Sequence, residues 1–304
     1  MKTPQSSLLA ANLICSASML IWAAGLPAAD HLIPLLPPEQ LTALRMAMTA
    51  AALVPFWAMV EGRGALRGAG WLKGIAVGSL IGLGAWFLVV GQAIGGAVTA
   101  AVISATLPLV GMAIEVMFDG RKMTPALIIG IALSLAGGMM ALDWQAGGLN
   151  LGFGAAMCFG SVIVFTIGSR LTVTAFPNHT PIGRTAITLT GAAIAASLVA
   201  LGQTVFTATP LPNLAPWGAG EWGALLIYSI GAMGISQVLW IMSVGRLGIG
   251  LSSLHINAAP FYVMLILFLL GGQWLWGQAA AACLVALGVL IAQGIVPLPK
   301  LARA

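Results

Sequence analysis

Long apolar runs broken by short polar punctuation set the pattern of this chain. LIWAAGLPAA, AALVPFWAMV, LIGLGAWFLVV and MLILFLL belong to the runs, whereas EGRGALRG, FDGRK and GSRL belong to the breaks. About 20 apolar residues cross a bilayer as a helix. Breaks at charge, Pro and Gly clusters leave ten such stretches, near 8–29, 39–60, 71–94, 96–118, 124–142, 149–171, 180–205, 221–245, 249–271 and 275–297. These runs are far too long for barrel strands. Lipid also leaves backbone groups no partner but each other, so the pattern predicts an all-α integral membrane bundle of ten transmembrane helices.

Composition agrees. The chain is 60% hydrophobic and 6% charged, whereas a soluble domain carries roughly 25% charged residues. Its formal charge of +5 would elsewhere suggest nucleic acid. Here the charges lie in the short gaps, so the excess reports topology and the expected surroundings are a lipid bilayer, with no nucleic-acid partner. Numbering the gaps alternately gives one side Lys2, Arg63, Arg67, Lys73, Arg121, Lys122, Arg170, Arg246, Lys300 and Arg303. The other side holds Asp30, Glu39, Asp143 and Glu221. Cations gather on the cytoplasmic face, which puts both termini there. Cys15, Cys158 and Cys283 fall inside apolar runs without metal-ligand spacing, so neither a disulfide set, a metal nor a cofactor is expected. The run from Leu8 carries Asn12, Ser16 and Ser18 and reads as an uncleaved first helix. Most tryptophans suit the interfacial belts, Trp57 and Trp71 inside and Trp144, Trp217, Trp222, Trp274 and Trp276 outside. Trp22, Trp86 and Trp240 fall well inside their spans, where an indole needs a partner or a cavity to line.

The chain also repeats. RMAMT at 45–49 and RTAIT at 184–188 share Arg, Ala and Thr at equal spacing, early in their spans. GAVTAAVISATLP ends on Pro108 and GIGLSSLHINAAP on Pro260, and Gly120 and Gly272 keep the same offset. Two halves of five helices follow, 1–145 and 146–304, divided near DWQAGGL. Because five is odd, the second half enters the membrane in the opposite sense. Such inverted repeats give many secondary transporters their two alternating states.

An early Trp22 in helix 1, Arg45 in helix 2, an apolar helix 4 broken by Pro108 and a Gly-rich helix 5, all repeated, resemble the ten-helix EamA-type exporters of the drug/metabolite transporter superfamily. The resemblance covers nearly the whole chain and is closest to bacterial exporters of aromatic and other neutral amino acids. It implies an inner-membrane exporter of small molecules that works by alternating access, with a monomer as the expected unit. The family's Gly-Glu pair before helices 5 and 10 is here Gly120-Arg121 and Gly272-Gln273, so no role carries over from those glutamates.

Charged groups inside hydrocarbon are suspects for function. Arg45 and Arg184 lie at similar depths from opposite faces, each four residues before a Thr. Either both reach for an interface or for backbone carbonyls, or Arg45 meets an anionic group of a substrate. Glu115, beside Asp119, Arg121 and Lys122, reads as part of a structural ion pair. No carboxylate occupies the bilayer centre, so proton coupling would fall to His255, and facilitated diffusion is the expectation. Helical spacing groups Asn12, Cys15, Met19 and Trp22, then Ser79, Gly82 and Trp86, then Met233, Gln237 and Trp240. Such stripes are packing in some proteins and cavity walls in others. As walls they would suit a small zwitterion, its ammonium over an aromatic face.

In SSLHINAAPFY, at 252–262, a regular helix would put Ser252, His255, Ala259 and Tyr262 on one face and turn Asn257 about 160° from His255. That makes His255 and Tyr262 candidates and leaves Asn257 to bond a neighbouring helix. The candidate substrate contacts are thus Trp22, Arg45, Ser79, Trp86, Gln237, Trp240, His255 and Tyr262, with Pro27, Pro108 and Pro260 as candidate helix breaks or gates. Phosphorylated substrates are disfavoured by the absence of Lys and Arg from 249–296. An exporter of other metabolites or drugs stays open. An intramembrane enzyme is disfavoured, because Ser252 and His255 have no third orienting group.

Overall fold

The computed structural model describes residues 5–140, 152–207 and 209–297, and every regular element in them is helical. The expected division at 143–149, with Asp143 and Trp144, and the terminal cations Lys2, Lys300 and Arg303 lie outside the described residues, as do the side chains of Asp30 and Pro260. In chain order the elements are α1 (Gln5–Leu32), α2 (Pro38–Glu61), the single turn α3 (Gly64–Arg67), α4 (Trp71–Ser104), α5 (Leu107–Asp119), α6 (Pro125–Met140), α7 (Phe153–Thr174) and α8 (Pro181–Thr207). Then come α9 (Ala219–Leu226), a π-helical segment (Ile227–Ile235), α10 (Ser236–Leu247), α11 (Ile249–Ser253), a 3-10 segment (Leu254–Ala258), α12 (Ala259–Leu269) and α13 (Trp276–Ala292).

Local chemistry sets many of these ends. Pro38, Pro125 and Pro181 open α2, α6 and α8, where a missing N–H costs nothing. Gly62, Gly120 and Gly248 follow α2, α5 and α10 at φ of 84°, 63° and 84°, a region that disfavours side chains. Among the described residues, six helices are long and apolar enough to cross a membrane, or seven if Ile249–Ala258 and Phe261–Leu269, bent by 44°, count as one. The chain is therefore a multi-pass membrane protein. α6 and α13 are apolar but shorter, at 16 and 17 residues.

Three stretches depart from the regular helices expected. α4 passes through the predicted boundary at residue 95 and stops at Ser104, with the interruption at Ala105 and Thr106. AIGGAVTAA has neither proline nor charge, and glycine permits a break without requiring one. Pro108 instead occupies the first turn of α5. The second departure is the π-helical stretch inside the expected eighth span. The third is the 3-10 turn within SSLHINAAPFY, just before Pro260 takes the first turn of α12.

Small residues let the backbones meet, as membrane helices without a hydrophobic driving force require. α4 packs against α7 and α8, α2 against α8, α6 against α13, α5 against α11, and α1 against α10 and the π segment. A methyl group added to Gly78 would stand 2.0 Å from the Thr188 carbonyl oxygen across the α4–α8 seam. One added to Gly130 would stand 2.5 Å from the Gly288 oxygen, and one on Gly25 would stand 2.4 Å from the Ala232 Cβ.

Candidate functional site

The RMAMT stretch lies in the first half of α2, where Arg45 is buried to 8% exposure. The Arg45 guanidinium carbon lies 4.2 Å from the centroid of the Tyr228 ring, whose face attracts a cation. Its Nε is sealed from solvent and finds no hydrogen-bond partner, and no carboxylate among the described residues pairs with it. One turn on, the Thr49 hydroxyl sits 2.8 Å from the Arg45 carbonyl and 2.9 Å from that of Ser229. It ties α2 to the π segment beside the stacked pair.

The π segment explains why the tyrosine matters. Tyr228 and Gln237 are nine positions apart, which in a regular α-helix would put them on opposite faces. A π-helix closes its hydrogen bonds from i to i+5 and winds more widely, so Gln237 returns toward the side of Tyr228. Gln237 is 6% exposed and makes no side-chain hydrogen bond among the described residues. On the facing helix, Gly25 packs on Tyr228 and Ala232, and Trp22 stands one turn away on the same face of α1. Trp22 is half-buried, with no partner for its indole N–H among the described residues.

On the other flank of α2, the Trp86 indole N–H donates to Glu39 Oε1 at 3.2 Å. Glu39 Oε2 is sealed and has no partner. Sequence alone raised Trp86 as an indole in need of a partner but not which acid would supply it. Tyr228 and Glu39 were both missed. Tyr228 lies in an apolar run without polar spacing, and Glu39 looked like an ordinary acid of an outer loop.

The other candidates are engaged by the protein itself. Ser79 donates to the Ile75 carbonyl of its own helix at 2.7 Å. The Trp240 indole donates to Ser169 Oγ at 3.2 Å, and its ring packs with Cys15, Met19 and Val162. His255, 6% exposed, has its Nδ1 3.3 Å from the Ser252 carbonyl within the 3-10 turn. Tyr262 is half-buried on the same packed cluster as Trp240 and lies beside Ser16 of α1. Asn257 turns away from His255 and donates to Ser134 Oγ of α6 at 3.0 Å. Asn12 trades two amide hydrogen bonds with Gln293, at 2.6 and 2.7 Å, and so joins α1 to the end of α13. Pro27 lies within an unbroken α1. Arg184, the repeat partner of Arg45, donates to the Phe176 and Pro177 carbonyls at 2.8 and 2.9 Å.

Near the end of α5, Glu115 is almost wholly buried. Its Oε1 accepts from the Gly250 N–H at 3.0 Å and its Oε2 lies 2.5 Å from Arg121 Nε, while Arg121 also donates to the Leu247 carbonyl. Asp119 pairs with Arg170, whose hydrogen bonds hold the Asp119 carboxyl below its ordinary value. Together these contacts join α5 to the turn between α10 and α11, and to α7.

Residues 9–142 match the EamA-like transporter family. That match points to a transporter rather than an enzyme. Over 189 residues the chain is 26% identical to the "Uncharacterized transporter YyaM" of Bacillus subtilis (strain 168), an alignment covering 59% of this chain and 58% of that protein. Over 188 residues it is 27% identical to the "Aromatic amino acid exporter YddG" of Ancylobacter novellus, covering 60% of this chain and 61% of that protein. The chain thus spans about three fifths of the length of the curated relatives it matches. A crystal structure of a protein superposes with a TM-score of 0.75 at 24% identity, over 94% of this chain and 97% of its own, a likeness of fold.

Proposed function

We propose that this protein is a secondary transporter that exports aromatic and other neutral amino acids from the cytoplasm across a bacterial inner membrane. The observation that carries this is Arg45. A guanidinium buried in a membrane helix is costly, and this one has an aromatic face beneath it but no carboxylate beside it among the described residues. A substrate carboxylate supplies the missing anion, with charge-assisted hydrogen bonds to the unpaired guanidinium. Trp22 and Tyr228 offer aromatic surface to the substrate's side chain, and Gln237 offers an unused amide. The name of the Ancylobacter relative agrees with such a substrate.

Alternating access comes from two inverted five-helix halves, 1–145 and 146–304, with ten spans and both termini cytoplasmic. The seams support this arrangement. α1 meets α10 and the π segment as α4 meets α7, and α2 meets the π segment as α8 meets α4, pairings that exchange when the halves are exchanged. Helix breaks followed by Pro108 and Pro260 recur at matching places and are the natural points of flexure. Transport is facilitated, since His255 is packed against its own turn.

Proteoliposomes loaded with labelled phenylalanine and leucine, with and without a proton gradient, test this alongside a panel of cationic drugs. Amino-acid flux is expected, and the gradient should not drive it uphill. Flux of the drugs alone would favour a drug exporter instead. Uphill movement that disappears in His255→Ala would overturn facilitated transport.

A further inference from the structure

A half-buried Glu39 and a buried Arg45 lie six positions apart on α2 and do not pair with each other among the described residues. Glu39 faces α4, where the Trp86 indole holds one carboxylate oxygen and leaves the other sealed and without a partner. Arg45 faces the π segment, where the Tyr228 ring lies beneath it and its Nε is also without a partner. Six residues of helix separate the two backbones by about 9 Å along the axis, and both side chains are long. Leaving a sealed carboxylate oxygen and a sealed guanidinium nitrogen unmatched is expensive for each. One molecule carrying both charges relieves both at once.

Resting on the transport function proposed above, we infer that Glu39 and Arg45 form the two poles of a zwitterion site, Glu39 taking the substrate's ammonium and Arg45 its carboxylate. Trp86 is a positioning residue, holding Glu39 through one oxygen and leaving the other, without a partner of its own, for the ammonium. Tyr228 does the same for Arg45 by fixing the plane of the guanidinium. Selection is then by the head group. A molecule lacking either charge leaves one pole unmatched, while the side chain is read separately by the aromatic surface.

The test is binding to the purified full chain in detergent, with phenylalanine, phenethylamine, which lacks the carboxylate, and N-acetyl-phenylalanine, which lacks the ammonium. In the wild-type chain both analogues should bind at least about tenfold more weakly than phenylalanine, the scale of a lost hydrogen bond to a charged group. Glu39→Gln should weaken phenylalanine about tenfold and leave N-acetyl-phenylalanine unchanged, with Arg45→Gln showing the reverse selectivity against phenethylamine. Trp86→Phe should weaken phenylalanine more than N-acetyl-phenylalanine, a split that a packing role alone would not produce. Equal loss for phenylalanine and N-acetyl-phenylalanine in Glu39→Gln, or no loss, overturns the role of Glu39 while leaving amino-acid transport standing. Should that variant fail to fold, tight binding of N-acetyl-phenylalanine by the wild-type chain overturns the proposal by itself. Failure of the wild-type chain to bind phenylalanine, leucine or either analogue would instead overturn the transport function beneath it.

Discussion

Arg45 and Arg184 occupy equivalent places in RMAMT and RTAIT, and in both the following Thr hydroxyl lies 2.8 Å from the Arg carbonyl. What differs is the guanidinium. Arg184 finds two carbonyls at the end of α7, whereas Arg45 finds a ring and no anion among the described residues. Substitution should separate them. Arg45→Gln is expected to raise KM for phenylalanine at least about tenfold, and Arg45→Lys to recover only part of this, because an ammonium lacks the planar stacking and fork of donors. Arg184→Gln should leave KM unchanged and lower the thermal stability of the detergent-purified chain. The sequence displayed both arginines as buried charges but could not show which had a partner. Arg45 meets a tyrosine far along the chain, and Arg184 meets carbonyls whose direction depends on how the next turn folds.

Glu115 acts at the scale of the element. One carboxylate holds the N–H of Gly250 and the side chain of Arg121, so α5 of the first half is fastened to the α10–α11 turn of the second. Gly248 leaves room for it: a methyl there would stand 2.1 Å from Glu115 Oε1. Glu115→Gln should lower stability by about 1–3 kcal/mol, since it strands a charged partner and weakens the bond to Gly250. It should also speed maleimide labelling of Cys15, which is fully buried against Ser252 of α11. Unchanged labelling would mean that the latch does not govern access. The nearby Asp119–Arg170 pair sets a pH dependence. Its carboxyl is held below the ordinary 3.8, so its stabilisation is present above that value and is lost as pH falls through the lower folded value. Exposure keeps the effect small. The ion-pair role of Glu115 was legible from its neighbours in sequence, but its backbone partner was not, because the turn at Gly248 comes from the other half of the chain.

At the scale of the whole molecule, long apolar runs parted by short polar gaps made a multi-pass helical protein legible, since lipid allows few alternatives. Periodicity said less about how the helices meet. It assumes 100° per residue throughout, and the chain breaks that assumption at the π segment and at the 3-10 turn before Pro260. The seams are governed by glycines whose importance lies in contacts that sequence does not display. Gly78→Ala should cost about 1–3 kcal/mol, because the Thr188 carbonyl cannot yield, and Gly231→Ala should cost nothing, with open space around it. Thermal unfolding of the two variants in detergent checks the contrast. The π segment, finally, makes this span tolerant of losing a residue. With i to i+5 bonding it holds about one residue more than an α-helix of the same rotation, so deleting one residue between 227 and 235 would let the stretch rewind as an ordinary α-helix with everything beyond it on nearly the same face. Gln237 would stay on the side of Tyr228, and Trp240 beside Ser169. An inserted residue has no such slack to take up and would turn the following helix by about 100°, so single-codon insertions there should be rarer among functional variants than single-codon deletions.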